Sequence, residues 1–176
     1  YNNTGVAINF TQQPYVFDDI AGNNIATANL NSGALAAGEV GILFNSTLIT
    51  LDDMRAMWGA GFNYLPVSNW PSLNNSSGED TIADTIAIWE NYSDYNSEPV
   101  VDSGRTHENA AAAVTYKTLA GESWPTSNGQ SSIWLNNLTG NPNVGTNWSR
   151  AGASGDTLSH QSLPIFGSAI DHEGGD

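Results

Sequence analysis

The chain contains no cysteine among its 176 residues. Structural disulfides, thiolate nucleophiles and cysteine-based zinc sites are therefore excluded. A domain of this length buries enough surface to fold without disulfides, so the absence of cysteine does not argue against export. Long hydrophobic runs are missing too: none reaches the roughly 18 apolar residues of a membrane-spanning helix. We expect no transmembrane segment, and the start at Tyr1, without a visible signal peptide, favours a processed chain.

Basic residues are scarce. Four Lys and Arg face 18 Asp and Glu, which gives a formal net charge of −14. Nucleic acids and anionic membrane surfaces are therefore poor partners, because binding phosphate requires clustered Lys or Arg. An acidic surface rich in Asn, Ser, Thr and Gly favours solubility and is common outside the cell, with halophily as the alternative.

Asparagine is abundant and often stands in the N-glycosylation motif Asn-X-Ser/Thr. With 21 Asn and 32 Ser or Thr in the chain, chance alone gives about four such motifs. Eight are present, at Asn2, Asn9, Asn45, Asn74, Asn75, Asn91, Asn137 and Asn147. This excess predicts a glycan coat on a secreted or cell-surface protein. The alternative is that an Asn-, Ser- and Thr-rich surface produces the motifs by accident.

Short β-type runs bounded by turn-forming residues dominate the chain. Such spacing favours an all-β fold, which we predict to be one mostly antiparallel, Ig-like β-sandwich over residues 1–176. The predicted strands or extended segments are Val6–Phe10, Tyr15–Phe17, Ile25–Leu30, Gly38–Asn45, Val67–Leu73, Ile82–Trp89, a strand from Ala112, and Ser132–Leu135. Residues Asn91–Asp102 are predicted to form a loop.

One short helix is predicted near residues 51–58. Thr50 can cap the free amides at its start, acidic Asp52 and Asp53 suit the positive helix end, and Gly59 can close it. Apolar residues at helical spacing, Leu51, Met54 and Trp58, are predicted to face the core.

Catalytic or metal-binding patterns are not found. The histidines His107, His160 and His172 form no zinc-type pair, so surface positions are expected for all three. The carboxylates of Asp52 and Asp53 could serve acid–base or metal chemistry, but helix capping explains them better. Those of Asp171–Asp176 suit calcium by type, but an acidic flexible terminus explains them better, and Asp18-Asp19 is a similarly weak signal. We predict no enzyme activity, no catalytic residue, no metal site and no cofactor.

Six tryptophans divide into two sets by their surroundings. Trp58, Trp89 and Trp134 lie in apolar patterns and are predicted to be core residues. Trp70, Trp124 and Trp148 lie in predicted loops, where an exposed ring can stack on a ligand such as a sugar. They are the predicted ligand-stacking residues of a binding module.

Three stretches carry a resemblance to a known group: Gly38–Asn45, Asp84–Trp89, and Ser131–Leu138 running to Asn147-Trp148. Together they resemble exported bacterial proteins with a lamin-tail-like β-sandwich, often of the type with a PEP-CTERM sorting signal. The resemblance covers roughly residues 38–176 and implies a β-sandwich fold and export from the cell. It implies no catalytic residue, because the shared motifs are packing and turn motifs.

A second resemblance involves Val40–Asn45, Leu51–Trp58 and Val100–Thr106. These stretches are similar to part of periplasmic phosphate-binding proteins. That similarity implies an oxyanion held by Ser103, Gly104 and Thr106 at the start of a helix.

Taken together, the sequence predicts a non-enzymatic secreted or cell-surface glycoprotein that is a structural subunit of an extracellular assembly such as a filament. The β-prone segment Tyr1–Phe17 is the predicted extended arm that donates a strand to a neighbouring copy. The alternative is an extracellular module that binds carbohydrate or a small anion such as phosphate.

Overall fold

The computed structural model describes residues 1–19, 25–71, 84–101, 104–116, 124–125, 133–136, 140–150, 158–160 and 163–165. The contacts between Cα atoms divide the chain into two compact units, where the sequence predicts one domain. The larger unit contains Tyr1–Leu73 and Thr85–Ala113, and the smaller contains Asn74–Asp84 and Val114–Asp176.

The larger unit holds most of the described secondary structure. Its elements are β1 (Ile8–Asn9), β2 (Val16–Asp19), β3 (Ala34–Leu35), β4 (Gly41–Asn45), α1 (Leu51–Trp58), β5 (Asn63–Val67), most of β6 (Asp84–Trp89), α2 (Tyr92–Ser97), β7 (Val100–Val101), β8 (Gly104–Arg105) and the start of β9 (Ala112–Tyr116). β1 pairs with β3, and β7 with β8, in both cases antiparallel. β6 is the central strand of a three-stranded sheet in the order β2-β6-β9.

The smaller unit contains two further antiparallel pairs. β10 (Ile133–Leu135) pairs with β11 (Trp148–Arg150), and β12 (Leu158–His160) pairs with β13 (Leu163–Ile165). A 3-10 turn, Gly145–Asn147, leads into β11.

The prediction of a mostly β protein with antiparallel pairing is confirmed. β4 and β5 are an exception, because they are parallel from Gly41↔Asn63 to Asn45↔Val67. Parallel neighbours need a crossover connection, and α1 supplies it. The sandwich arrangement itself stays a prediction.

Helix α1 begins and ends where the sequence predicts. The Thr50 side chain accepts a hydrogen bond from the Asp53 amide, and the Asp53 carboxylate accepts one from the Thr50 amide, which completes a capping box. Gly59 ends the helix with φ 90°, and its N–H donates to the Arg55 carbonyl. Met54 is buried and Trp58 half-buried, but Leu51 is exposed, so its predicted core position is wrong.

β2 is buried on both of its faces because two hydrophobic clusters pack against it. Phe17 belongs to the first cluster, with Phe10, Tyr15, Leu30, Leu35, Leu65 and Val67. Val16 belongs to the second, with Ile25, Ala87, Trp89 and Tyr95. Since side chains alternate along a strand, Asp18 lies on the Val16 face and Asp19 on the Phe17 face.

Three predicted elements differ from the structure. The sequence predicts a loop over Asn91–Asp102, but this stretch contains α2, which is capped by the Asn91 side chain. The segment predicted to be extended, Val67–Leu73, overlaps strand β5 only at Val67, where β5 ends. Within Ile25–Leu30, the described backbone makes one isolated bridge, from Leu30 to Tyr15.

The N-terminal segment Tyr1–Phe17 is not an extended arm. Its residues Phe10, Tyr15 and Phe17 are buried in the first cluster of their own chain. Strand β2, which includes Phe17, is already paired with β6. In this structure the segment packs within its own chain, and donation of a strand to a neighbouring copy stays a prediction.

Among the residues that the structure describes, no helix is both long enough and apolar enough to cross a membrane.

Candidate functional site

The first motif asparagine, Asn2, connects the N-terminal turn by hydrogen bonds to the rest of the larger unit. Its side-chain oxygen accepts hydrogen bonds from the Thr4 amide at 3.0 Å and the Thr4 hydroxyl at 2.7 Å. Its Nδ2 lies within hydrogen-bonding distance of three carbonyl oxygens, those of Val6 (2.7 Å), Leu35 (3.1 Å) and Ala36 (3.0 Å). Asn2 is only 2% exposed. The fold gives no support to the predicted glycan at Asn2, because its amide hydrogens are used internally.

Asn45 adopts the same kind of turn at the surface. Its oxygen accepts from the Thr47 amide at 3.1 Å and the Thr47 hydroxyl at 2.6 Å, which is an Asx-turn. Thr47 is exposed and Asn45 half-buried. Among the described residues, Asn45 Nδ2 has no hydrogen-bond partner in the protein. The amide nitrogen that a glycan would join is thus unengaged.

The other described motif asparagines differ from one another. Asn9 is exposed, and its oxygen accepts from the amides of Thr11 and Gln12. It lines an open cavity of about 420 Å³, with Gln12, Gln13 and Glu90 among its walls. Asn91 donates from Nδ2 to Asp94 while it caps α2, and Asn147 donates to the Asn141 carbonyl. Asn74, Asn75 and Asn137 lie outside the described residues.

The three predicted stacking tryptophans contact aromatic rings of their own chain. Trp70 packs on Phe17 with ring centroids 5.1 Å apart. Trp124 and Trp148 stack on each other at 5.8 Å and 29°, and Trp148 Nε1 donates to the Pro142 carbonyl. Trp124 is buried. These contacts engage ring surface that a sugar would use, so they give no support to a stacking platform.

The structure gives no support to the oxyanion site implied by the phosphate-binding resemblance. Gly104 begins strand β8, not a helix. The Thr106 hydroxyl donates to the Glu98 carboxylate at 2.6 Å, so it is already engaged with an anion of the chain itself. Ser103 lies outside the described residues. This arrangement repels a second anion near Thr106.

Glu98 is the most completely satisfied buried carboxylate of the larger unit. It is 3% exposed and accepts hydrogen bonds from Trp89 Nε1 (2.8 Å), the Thr106 hydroxyl (2.6 Å) and the amides of Glu108 (3.2 Å) and Asn109 (2.7 Å). Burial by itself raises the pKa of Glu98, but these hydrogen bonds to the charged form outweigh it and hold the pKa below its ordinary value. Glu98 therefore ties β6, the end of α2 and the segment after β8 together.

Asp18 is a second buried carboxylate with the opposite electrostatic balance. The Tyr95 hydroxyl donates to its Oδ2 at 2.6 Å, while its Oδ1 is buried without a hydrogen-bond partner among the described residues. Burial, reinforced by the neighbouring Asp19 charge, raises the pKa of Asp18 from 3.8 to about 6. The Tyr95 hydrogen bond and Arg105 act in the opposite direction but do not cancel the effect of burial.

Tyr95 and Arg105 complete this cluster. Burial and the Asp18 hydrogen bond raise the pKa of Tyr95 to about 12, so the hydroxyl stays a donor. The Arg105 guanidinium lies 4.5 Å from the centre of the Tyr95 ring, a cation–π arrangement. It also donates to the carbonyls of Tyr95 and Asn96 at 3.3 Å each, which fixes β8 to the end of α2.

The buried acidic residues do not assemble a metal centre in the described part of the chain. No group of three or more His, Cys, Asp or Glu side chains comes together there. Asp18 and Asp19 point to opposite faces of β2, because neighbouring residues in a strand alternate. His107 is exposed, as predicted. The side chain of His160, and all of His172 and Asp171–Asp176, lie outside the described residues.

Sequence reasoning missed the Asp18 cluster because Tyr95 lies 77 residues away along the chain. It missed the Glu98 cluster because Asn91–Asp102, which contains Glu98, is predicted to be a loop without a defined role. It also missed Asn29, a buried residue whose side-chain amide pairs with both backbone groups of Phe17, at 2.8 and 2.7 Å. One local signal was available: Asn91 followed three residues later by Asp94 is a helix-start pattern, and it caps α2.

No protein-family model, curated protein or solved structure matches this chain. The resemblance to lamin-tail-like exported proteins therefore stays a prediction that rests on the motifs quoted above.

Proposed function

We propose that the chain is a non-enzymatic, secreted or cell-surface glycoprotein that serves as a structural subunit of an extracellular assembly such as a filament. The observation that carries the proposal is an uncovered strand in the larger unit. β7 consists of Val100 and Val101, which are 64% and 57% exposed.

Both faces of β7 are accessible to solvent. Side chains of consecutive strand residues point to opposite faces, so exposure of Val100 and Val101 together means that neither face is covered. β7 pairs only with β8 in the described part of the chain, in a two-stranded sheet. An exposed apolar strand at a sheet edge presents backbone groups to which a strand of another molecule can add.

The composition supports an extracellular setting for such an assembly. The net charge of −14 keeps individual molecules soluble. Strand addition is directional and uses backbone groups, so it tolerates a surface of one charge sign better than ion pairing does. Polar Asn, Ser and Thr side chains in place of Lys and Arg reduce unspecific contacts.

We do not propose Tyr1–Phe17 of a neighbour as the partner strand, because this segment packs in the core of its own chain. Deleting this segment would remove Phe10, Tyr15 and Phe17 from the first hydrophobic cluster and unfold the larger unit. Loss of assembly after such a deletion would therefore carry no information. The acceptor edge β7 is the better target, because its side chains contribute little to the core.

The test introduces positive charge at the β7 edge and, as a control, in an exposed turn. In V100K/V101K, two like charges on β7 oppose pairing with a second strand. The matched control is L48K, since Leu48 is 84% exposed in the turn after β4. Light scattering over a concentration series, with electron microscopy of untagged protein, measures the mass and shape of the assemblies.

We expect wild type and L48K to form regular assemblies and V100K/V101K to remain monomeric. Wild-type protein that stays monomeric at every concentration would refute the structural role. Equal assembly by both variants would refute β7 as the contact.

A further inference from the structure

We propose that Asn45 is an N-glycosylation site of the folded protein and that Asn2, which has the same motif and the same turn, remains unmodified. This inference rests on the proposed function, because attachment requires export through a compartment with a glycosyltransferase. The two sites carry the same sequence motif, so the motif alone does not distinguish them.

The two turns match closely in their local geometry. In each, the asparagine oxygen accepts from the amide and the hydroxyl of the threonine two residues later: 3.0 and 2.7 Å at Asn2, and 3.1 and 2.6 Å at Asn45. The threonine hydroxyl required by the motif is thus positioned on the side-chain amide in both. Any difference in modification must come from the surroundings.

The reaction needs an accessible Nδ2 with a hydrogen to lose. Nδ2 attacks the anomeric carbon of a sugar carried on a lipid diphosphate, and a carbon–nitrogen bond forms. The bond from that carbon to the diphosphate oxygen breaks, and the lipid diphosphate leaves with the electron pair. One Nδ2 proton passes to a base of the transferase. At Asn45 this loses no hydrogen bond within the described part of the protein.

Asn2 lacks an accessible Nδ2, and its hydrogens are engaged within the protein. Its Nδ2 donates toward the carbonyls of Val6, Leu35 and Ala36, so replacing a hydrogen by a sugar leaves a buried carbonyl without its donor. Its side chain is 2% exposed, which leaves no room for a sugar ring. A chain glycosylated at Asn2 before folding would have to leave this turn open.

The remaining described motifs lack part of the arrangement. At Asn9 the Thr11 amide, but not the Thr11 hydroxyl, donates to the asparagine oxygen. Nδ2 of Asn91 is held by Asp94, and Nδ2 of Asn147 by the Asn141 carbonyl. Asn45 is therefore the described site in which an engaged threonine hydroxyl and an unengaged Nδ2 occur together.

A glycan at Asn45 would also stand beside an exposed apolar side chain. Leu48 lies in the same turn, its amide donates to the Asn45 carbonyl at 3.2 Å, and its side chain is 84% exposed. The sugar and Leu48 would share one surface at the end of β4.

The test maps occupancy in the folded, exported chain. The full chain is secreted from cells that carry out N-glycosylation, and the protease-resistant fraction is isolated. Peptide N-glycosidase treatment in isotopically heavy water then marks each formerly glycosylated Asn for mass spectrometry. The variants are N45Q, T47A and T47S, and Asn2 of the same molecules is the internal control.

We expect the label at Asn45 in wild type and T47S, its loss in N45Q and T47A, and no label at Asn2. Label at Asn2 in the folded fraction, or glycans at other sites with Asn45 bare, would overturn this inference but leave the proposed function standing. A chain without glycan at any site would overturn both this inference and the glycoprotein part of the proposed function.

Discussion

Two buried carboxylates of the larger unit, Glu98 and Asp18, show opposite ways of placing a negative charge inside a protein. Glu98 receives four hydrogen bonds, and its pKa lies below the ordinary value. Asp18 receives the Tyr95 hydroxyl on one oxygen, has Oδ1 without a partner among the described residues, and has a pKa raised to about 6. Both side chains are buried, but Asp18 lies deeper and receives fewer hydrogen bonds, and both differences disfavour its charged form relative to that of Glu98.

This difference predicts opposite effects on stability. A carboxylate with enough donors holds distant segments together as an anion, and its loss leaves several buried donors unpaired. A carboxylate with too few donors is a cost at neutral pH, because its desolvated charge is only partly compensated. Glu98 should behave in the first way and Asp18 in the second.

The largest effect is expected for Glu98→Gln. The substitution keeps the size of the side chain but replaces one acceptor oxygen by an NH2 group that faces donors, and we expect a loss of about 3 kcal/mol in the free energy of unfolding. Urea denaturation at pH 7 measures it. The control is Glu108→Gln, an exposed carboxylate nearby, for which a change below about 0.5 kcal/mol is expected. Equal denaturation midpoints for the two variants would contradict the role of Glu98.

Asp18→Asn should act in the opposite direction. The neutral amide can still accept the Tyr95 hydrogen bond but carries no desolvated charge, so we expect a gain of about 2 kcal/mol at pH 8. The exposed Asp52→Asn on α1 is the control, since the Asp52 side chain is 94% exposed. A destabilised Asp18→Asn protein at pH 8 would show that the charge of Asp18 is needed.

The same variant should remove a pH dependence. The folded state raises the pKa of Asp18 from 3.8 to about 6, so it binds this proton more tightly than the unfolded chain does. The stability from Asp18 is therefore full below pH 3.8 and is lost as the pH rises to about 6. The advantage of Asp18→Asn over wild type should grow across that window and then stay constant. Glu98 acts oppositely, because its lowered pKa gives stability that is lost as the pH falls.

The smallest effect is expected for Tyr95→Phe. It removes the hydroxyl that donates to Asp18 but keeps the ring contacts with Trp89 and Arg105, so we expect a loss of about 1 kcal/mol at pH 7. The control is Tyr92→Phe, whose hydroxyl has no hydrogen-bond partner in the described part of the chain. An NMR titration of Asp18 should show a further rise of its pKa in Tyr95→Phe alone. An unchanged Asp18 titration would disprove the coupling.

The elements that the sequence predicts well are those built from local signals. Thr50, Asp53 and Gly59 are sufficient to place α1, because its capping bonds join residues of the helix and its flanks. The strand predicted from Ala112 is β9. In contrast, α2 has no helical apolar pattern. Its buried Tyr95 packs on Trp89 of β6 and donates a hydrogen bond to Asp18 of β2.

The sequence predicts the candidate glycosylation site at Asn45 only through its Asn-X-Thr motif. Asn2 and Asn45 are identical in pattern, and their local turns are nearly the same. Their difference is set by Leu35 and Ala36, which the fold brings to Asn2 from another part of the chain. The convergence of Trp89, Thr106 and Asn109 on Glu98 likewise has no signature in the local sequence.

The parallel pair β4 and β5 with the crossover helix α1 bears on the order in which the chain folds. All three elements lie in one continuous stretch, Gly41–Val67, and Met54 packs there with Phe44 and Tyr64. Pairing β4 with β5 closes only a short loop, which costs little chain entropy. Pairing β2 with β6 costs more, because it joins segments that are far apart in sequence. The Gly41–Val67 stretch should therefore form first and serve as the nucleus onto which the N-terminal strands later condense.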